Sequence, residues 1–184
     1  DVFVILRQNH YSNAPLFDGH GQLGDNGYTM GIPMERVTGA RIQSCRASGR
    51  NGFARVNLKP AYPEDLNVLT ATRDFAFTPR ALTVTDTLIT RVPRRASWRF
   101  HTWARHGLAQ IAPGRFRFSH ENAALDLVIV GNDLDFAVGD TDVVWAYSNE
   151  QENQPFRHLE VRGPETRQVQ VVFRVEWPDS PPAS

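Results

Sequence analysis

Apolar and polar positions alternate in short runs along the chain, and the pattern is clearest near its end. Val169, Val171, Phe173, Val175 and Trp177 occupy every second position, and most of the residues between them are polar. Successive side chains of a β-strand point to opposite faces of the sheet. The pattern therefore predicts a strand over 167–177 with one face against a core.

Similar runs recur along the sequence and are separated by Gly, Pro, Asn and Asp. No segment keeps apolar residues at helical spacing over three turns, so little helix is expected. The predicted fold is all-β, an antiparallel β-sandwich of about 12 strands over 1–177, followed by a flexible tail or linker at 178–184. The predicted strands lie near 2–7, 14–18, 35–47, 53–59, 66–77, 81–90, 96–104, 108–112, 115–120, 124–130, 134–138, 158–162 and 167–177.

One predicted strand carries a carboxylate in an otherwise apolar row. Alternation places Asp86 on the same face as Leu82, Val84 and Leu88. Burying an ionised carboxylate is costly unless the group is paired or hydrogen-bonded, so we expect Asp86 to meet an arginine or backbone amides. A structural anchor is favoured over a catalytic role.

The charge balance argues against a nucleic-acid partner. The chain has 20 basic and 20 acidic side chains, so its formal net charge is zero. Nonspecific binding of nucleic acid depends on a positive field that such a chain lacks. Lys59 is the only lysine, and all other basic residues are arginines. The planar guanidinium suits the carboxylates and sulfates of acidic sugars, although a general compositional bias also explains the count and is favoured.

The single cysteine leaves the cellular compartment open. The start of the chain bears on the size of the whole protein. Cys45 has no partner for an intrachain disulfide, which fits the cytosol but does not exclude the periplasm. No apolar run of about 18 residues is present, so no membrane span is expected. Because the chain begins at Asp1 and enters a strand-like segment at once, we expect it to be a fragment of a longer polypeptide.

The densest group of polar side chains lies in one short loop that contains His10, Asp18 and His20. Gly19 and Gly21 can adopt positive φ, and an aspartate can bond its own backbone nearby, so a turn is the favoured interpretation. Two imidazoles and a carboxylate also match three corners of a zinc site, which is the alternative.

A second candidate surface lies in the segment WRFHTWARH. Alternation places His101 and Trp103 on one strand face, where they form either a surface for sugar stacking and proton transfer or the covered face of a sandwich. The covered face is favoured. The arginines at 91, 94 and 95 surround Pro93 and are expected at a solvated hairpin tip between two strands.

Several segments taken in order carry a family resemblance. These are Ser-Asn-Ala-Pro-Leu-Phe-Asp-Gly-His-Gly-Gln at 12–22, Arg-Asp-Phe-Ala-Phe from Arg73, Leu-Thr-Val-Thr-Asp-Thr at 82–87 and Trp-Arg-Phe-His-Thr at 98–102. The sequence resembles the C-terminal β-sandwich region of heparinase II/III-like polysaccharide lyases, including alginate lyases of that architecture.

The resemblance implies a part in β-elimination of uronic-acid-containing polysaccharides. Most of that machinery belongs to an N-terminal (α/α) toroid, so the expected partners are acidic polysaccharide and a helical domain of the same protein. The isolated chain is expected to be inactive. The resemblance also favours a periplasmic or secreted location over the cytoplasm.

The resemblance and the polar pattern together give the candidate site residues. In this family the sandwich contributes a histidine and, in several members, a divalent metal such as zinc. Ser12 stands where the family commonly has its histidine, and His10 lies two residues earlier. The candidates are His10 for catalysis, His20, Gln22, Arg73, His101 and Trp103 for substrate binding, and Asp18 and His20 for a metal.

Two rival interpretations remain. One is a noncatalytic carbohydrate-binding or structural sandwich that uses exposed tryptophans, with candidates Trp98, Trp103, Trp145 and Trp177. The other is a metal-dependent enzyme of the double-stranded β-helix type, in which the 10–20 loop would converge with His101 or His120. A lyase domain needs its histidines together at one rim, whereas a binding module needs an exposed aromatic platform.

Overall fold

A computed structural model describes residues 14–22, 39–103, 107–121, 123–141 and 156–177. The predicted strand at 2–7 and the predicted tail at 178–184 lie outside these ranges. Short 3₁₀ turns occur at Lys59–Ala61 and Glu64–Leu66. The strands are β1 (Leu16–Phe17), β2 (Arg41–Ser48), β3 (Asn51–Asn57), β4 (Val68–Thr78), β5 (Ala81–Trp103), β6 (Gly107–Ala112), β7 (Arg115–His120), β8 (Ala123–Val130), β9 (Asp135–Thr141) and β10 (Phe156–Glu176).

The described strands pair antiparallel in one sheet that folds into two layers. The large layer has the order β2-β3-β4-β5-β10-β8-β7-β6 and uses the first half of β5 and the second half of β10. The small layer has the order β1-β5-β10-β9 and uses the other half of each long strand. The all-β antiparallel prediction is therefore confirmed.

The two layers meet in an aromatic and aliphatic core. Trp98 and Phe100 of the small layer pack on Phe173 of the large layer, with ring centroids 5.6 and 5.0 Å apart. Phe116 of β7 likewise packs on Phe136 of β9 at 5.3 Å. The predicted parity of the last strand holds at its centre, where Val171 and Phe173 are buried.

The sequence predicted a break between strands at two places where the structure has one continuous strand with irregular pairing. The segments predicted as 81–90 and 96–104 belong to β5, and those predicted as 158–162 and 167–177 belong to β10. The β5–β10 ladder shifts register twice, between Arg162 and Glu165 and between Thr166 and Gln168. Proline and glycine are tolerated at such bulges, which bend a strand without ending it. The arginines near Pro93 are therefore not at a hairpin tip.

The structure identifies Arg73 as the arginine that pairs with Asp86. The Arg73 Nε and Nη2 atoms donate to the two Asp86 carboxylate oxygens at 2.7 and 2.6 Å. Trp98 Nε1 of the small layer donates to Asp86 Oδ2 at 2.7 Å. Asp86 is fully buried, so this carboxylate links the two layers in the interior, and the predicted pairing with an arginine is confirmed.

The described part of the chain holds no helix with the length and apolar character that a membrane crossing requires.

Candidate functional site

The segment after β1 is a two-residue hairpin turn. Phe17 and His20 exchange backbone hydrogen bonds, with N–O distances of 2.9 and 2.8 Å. Between them Asp18 and Gly19 have φ values of +50° and +82°. Positive φ at both central residues is the type I′ pattern, which favours the Asp-Gly pair. The turn interpretation of this loop agrees with the structure.

The Asp18 carboxylate anchors the turn to β5. Its Oδ2 accepts a hydrogen bond from Arg94 Nη1 at 2.8 Å, and its Oδ1 accepts one from the Arg95 backbone N–H at 2.9 Å. Burial alone would raise the pKa of Asp18, but the hydrogen bonds from Arg94 and Arg95 outweigh it and lower the pKa. Both oxygens thus accept hydrogen bonds, and the metal role predicted for Asp18 stays a prediction.

Of the other residues predicted for this loop, the structure describes His20 and Gln22. His20 is exposed and Gln22 is half-buried. His10 lies outside the described residues. Within the described ranges no group of three or more His, Cys, Asp or Glu side chains comes together. No three-ligand group that would join this loop to His101 or His120 therefore occurs within those ranges.

Replacing Asp18 with Ala should lower the free energy of unfolding by about 1 kcal/mol, since a partly exposed ion pair and one backbone hydrogen bond are lost. Asp18→Asn keeps an oxygen for the Arg95 N–H and should retain part of this stability. The lowered pKa means that the stabilisation is present at neutral pH and is lost as the pH falls through that pKa. Urea unfolding at neutral and acidic pH measures it. An Asp18→Ala midpoint equal to the wild-type midpoint would exclude the anchor role.

A second group of polar residues lies on the outer face of the small layer. In the β5–β10 register His158 is opposite His101, and Glu160 is opposite Arg99. Arg162 follows on the same face of β10, because alternate residues share a face. We call these five residues the arginine–histidine face.

The Glu160 carboxylate accepts hydrogen bonds from both arginines of this face. Arg99 donates from Nε and Nη2 to Glu160 Oε1 at 3.3 and 3.1 Å. Arg162 Nη2 donates to the other oxygen, Oε2. Burial acts to raise the pKa of Glu160, but the hydrogen bond from Arg162 and the charge of Arg99 lower it. The ionised Glu160 carries one negative charge and the two guanidiniums carry two positive charges, so the cluster has one net positive charge.

The two histidines of the face lie side by side. Their ring centroids are 5.7 Å apart. Burial, with the charges of His158 and Arg99, lowers the pKa of His101 to about 4. Burial and Arg99 also lower the pKa of His158. Gly139 of β9 lies against the His158 ring, because a Cβ at position 139 would lie 3.2 Å from His158 Cε1. His101 is therefore a neutral imidazole at neutral pH.

The remaining predicted residues are placed as follows. Arg73 lies in the interior with its side chain 15% exposed, held by Asp86. Trp103 is the last residue of β5 and is the register partner of Phe156 on β10. Among the predicted tryptophans, Trp98 is fully buried and Trp177 is 49% exposed. Trp145 lies outside the described residues.

Sequence reasoning found His101 but missed its neighbours on β10. The segment HLEVR at 158–162 alternates polar and apolar residues, which places His158, Glu160 and Arg162 on one face. That signal was readable from the sequence. The pairing of this face with Arg99 and His101 depends on the strand register, which the sequence does not reveal.

The structure is similar to solved structures of heparinases. A heparinase III structure matches 96% of this chain and 25% of its own, with a TM-score of 0.69 and 9% identity. Another heparinase III structure matches 91% and 24%, with a TM-score of 0.67 and 7% identity. The heparan sulfate lyase HepC of Pedobacter heparinus matches 93% and 25%, with a TM-score of 0.64 and 11% identity.

The sequence comparisons are negative: no family model matches the chain, and no curated protein matches it. The likeness therefore concerns the fold, and it extends over nearly all of this chain. The chain spans about a quarter of the length of the heparinase chains that it matches. The resemblance predicted from the motifs is confirmed for the fold. The chain has the same all-β fold as the matched quarter of the heparinase III chains.

Proposed function

We propose that this chain is the β-sandwich domain of a heparinase-like polysaccharide lyase and helps to bind acidic polysaccharide at an interface with a helical domain. The observation that carries the proposal is the likeness to heparinase III structures over 91–96% of the chain. This chain matches only about a quarter of those heparinase III chains. That small share supports a larger protein, in which other regions supply most of the β-elimination chemistry.

The arginine–histidine face is the proposed contact surface for the acidic sugar. Guanidinium groups bind carboxylate and sulfate through paired N–H donors. Arg162 is half-exposed and Arg99 is about a quarter exposed. Both are oriented by a single carboxylate, Glu160, so two cations are held in place while the cluster keeps a net positive charge. An anionic sugar group complements that charge.

The proposed role of His101 is to shape the arginine–histidine face rather than to abstract a proton. A general base works best when its pKa is near the working pH, and a pKa of about 4 makes His101 a weak base at neutral pH. Both ring nitrogens of His101 are also buried, so this residue is expected to shape the face without donating to or accepting from a sugar hydroxyl. The catalytic role predicted for His10 stays a prediction, and the isolated domain is expected to produce no unsaturated uronate from heparin, heparan sulfate or alginate.

Calorimetric titration with size-defined heparin and alginate oligosaccharides tests the binding role. The double variant Arg99→Gln/Arg162→Gln should bind at least about tenfold more weakly than wild type, because two charge-assisted contacts are lost. The affinity of the wild-type chain should also fall with added salt.

The matched control is Arg174→Gln. Arg174 is also exposed and ion-paired, with Glu176, but it belongs to the large layer. Its replacement should leave the affinity within about twofold of wild type, because surface ion pairs contribute little. Equal losses in the two variants would indicate nonspecific attraction, and an unchanged double variant would remove the face from the site. Urea unfolding of each variant confirms that it is folded.

A further inference from the structure

We propose that the β2–β3 hairpin is a docking surface for an acidic polypeptide segment, which adds to the sheet as an extra strand along β2. This partner differs from the acidic sugar assigned to the arginine–histidine face, and the two surfaces share no residue. β2 lies at one end of the large layer, and within the described ranges it pairs with β3 alone. Alternate residues of such an edge strand direct their backbone N–H and C=O groups outward, where another strand can bond them.

The whole of β2 is open to solvent. Each of its eight residues is exposed, and Ile42 is 70% exposed. The pairing with β3 is irregular between Ile42 and Ser44, and from there residues 44–48 continue in regular register against 51–55. Five regular residues are about the length of an ordinary strand. This stretch therefore offers a regular backbone edge to a partner strand.

The charge of the hairpin selects the kind of strand that binds. Residues 41–57 contain four arginines and no Asp, Glu or Lys, although the whole chain has no net charge. Arg55 is ion-paired with Asp74. No ion pair joins the other three arginines, at positions 41, 46 and 50, to another described residue. Arg46 instead lies over the Phe53 ring, 5.6 Å from its centroid. These three positive charges complement a partner that carries carboxylates.

Two other occupants match the hairpin less well. A second copy of β2 would bring Arg41 and Arg46 against the same arginines, and like charges on neighbouring strands repel each other. An acidic polysaccharide would satisfy the charges but has no peptide groups, so it would leave the outward N–H and C=O groups of β2 to water. An acidic peptide strand satisfies the charges and the backbone together.

A shallow cleft at the tip of the hairpin extends this surface beyond β2. Its volume is about 580 Å³. Among the described residues its lining includes Arg46, Arg50, Phe53 and Phe77 and contains no Asp or Glu. Phe77 is 46% exposed, and an exposed ring gains free energy when an apolar group covers it. The cleft therefore favours a partner that has an apolar or aromatic side chain among its acidic residues.

The test is an NMR titration of the whole chain with the blocked peptide Thr-Glu-Val-Glu-Phe-Glu-Thr, following the backbone amides. The amides of residues 44–48 should shift in a saturable way. Arg41→Gln/Arg46→Gln should bind the peptide at least about fivefold more weakly, because two charge contacts are lost. The same peptide with N-methyl groups on its five central residues keeps every side chain but loses its backbone donors. It should bind about tenfold more weakly or worse.

The matched control is Arg91→Gln/Arg167→Gln, which removes the same charge at two exposed arginines outside the hairpin. Its affinity for the peptide should stay within about twofold of wild type. The proposal is overturned if the amides of 44–48 do not shift, if the N-methylated peptide binds as well as the parent, or if the control variant loses as much affinity. It is also overturned if a heparin hexasaccharide shifts these amides and the peptide does not.

The inference does not depend on the lyase assignment, because it rests on the edge and the charge of the hairpin alone. Arg99→Gln/Arg162→Gln leaves the hairpin intact and should bind the peptide as wild type does. Failure of the peptide to bind would therefore leave the proposed polysaccharide contact in place, and failure of the polysaccharide contact would leave the peptide result in place.

Discussion

Replacing Asp86 with Ala is expected to lower the free energy of unfolding by about 3–5 kcal/mol, the cost of breaking a buried ion pair by removing one partner. Asp86 is fully buried, and its oxygens accept hydrogen bonds from Arg73 and Trp98. The substitution leaves a largely buried guanidinium and an indole N–H without this acceptor. Urea or thermal unfolding measures the loss, and the midpoint should fall markedly.

Asp74→Ala provides the matched control on the neighbouring strand. Asp74 also pairs with an arginine, Arg55, at 2.6 Å, but the Arg55 side chain is 49% exposed. An exposed pair contributes little, so this variant should unfold close to the wild-type midpoint. If Asp86→Ala unfolded at the same midpoint as Asp74→Ala, Asp86 would not be the link between the layers.

The stability of the domain is expected to fall as the pH drops from about 6.5 to about 4. The pKa of His101 is lowered to about 4 in the folded chain, from 6.5. The unfolded chain therefore binds more protons in this window, and stability falls towards acid, by up to about 1.4 kcal/mol per pH unit for one site. The lowered pKa of His158 adds a change of the same sign.

Unfolding midpoints measured at several pH values test this dependence. In His101→Phe the slope between pH 6.5 and 4 should become shallower, because one titrating group is removed, while the contribution of His158 remains. Towards the acid end of that window and below it, the lowered pKa of Glu160 adds a further loss, present in both proteins. A wild-type midpoint that does not change over the window, or an equal slope in the variant, would contradict the burial of a neutral His101.

Local chemistry made part of the fold predictable. The alternation around Val171 and Phe173 indicated a strand and its buried face, and the isolated carboxylate of Asp86 implied an arginine or backbone amides as its partner. The Asp18-Gly19 pair implied a turn through its tolerance of positive φ. Each of these inferences depends on residues that are close in sequence or on a single desolvation argument.

Long-range pairing explains what the sequence did not reveal. Pro93 and Pro164 are turn signals in isolation, yet they lie in long strands whose ladder absorbs them through register shifts. The ion pair of Arg94 with Asp18 joins residues 76 positions apart. The meeting of Arg99 with Glu160, 61 positions apart, likewise depends on strand register. Alternation assigns a residue to a face but does not identify the strand opposite.

The most direct test of the central claim is to map where an acidic oligosaccharide binds, using amide, arginine side-chain and histidine-ring NMR signals of the whole chain. During titration with a uronate-containing hexasaccharide, saturable shifts should concentrate at Arg99, His101, His158 and Arg162, with smaller changes elsewhere. Shifts confined to other surfaces, or no shift at concentrations where calorimetry detects binding, would contradict the assignment of the arginine–histidine face as the polysaccharide contact of this domain.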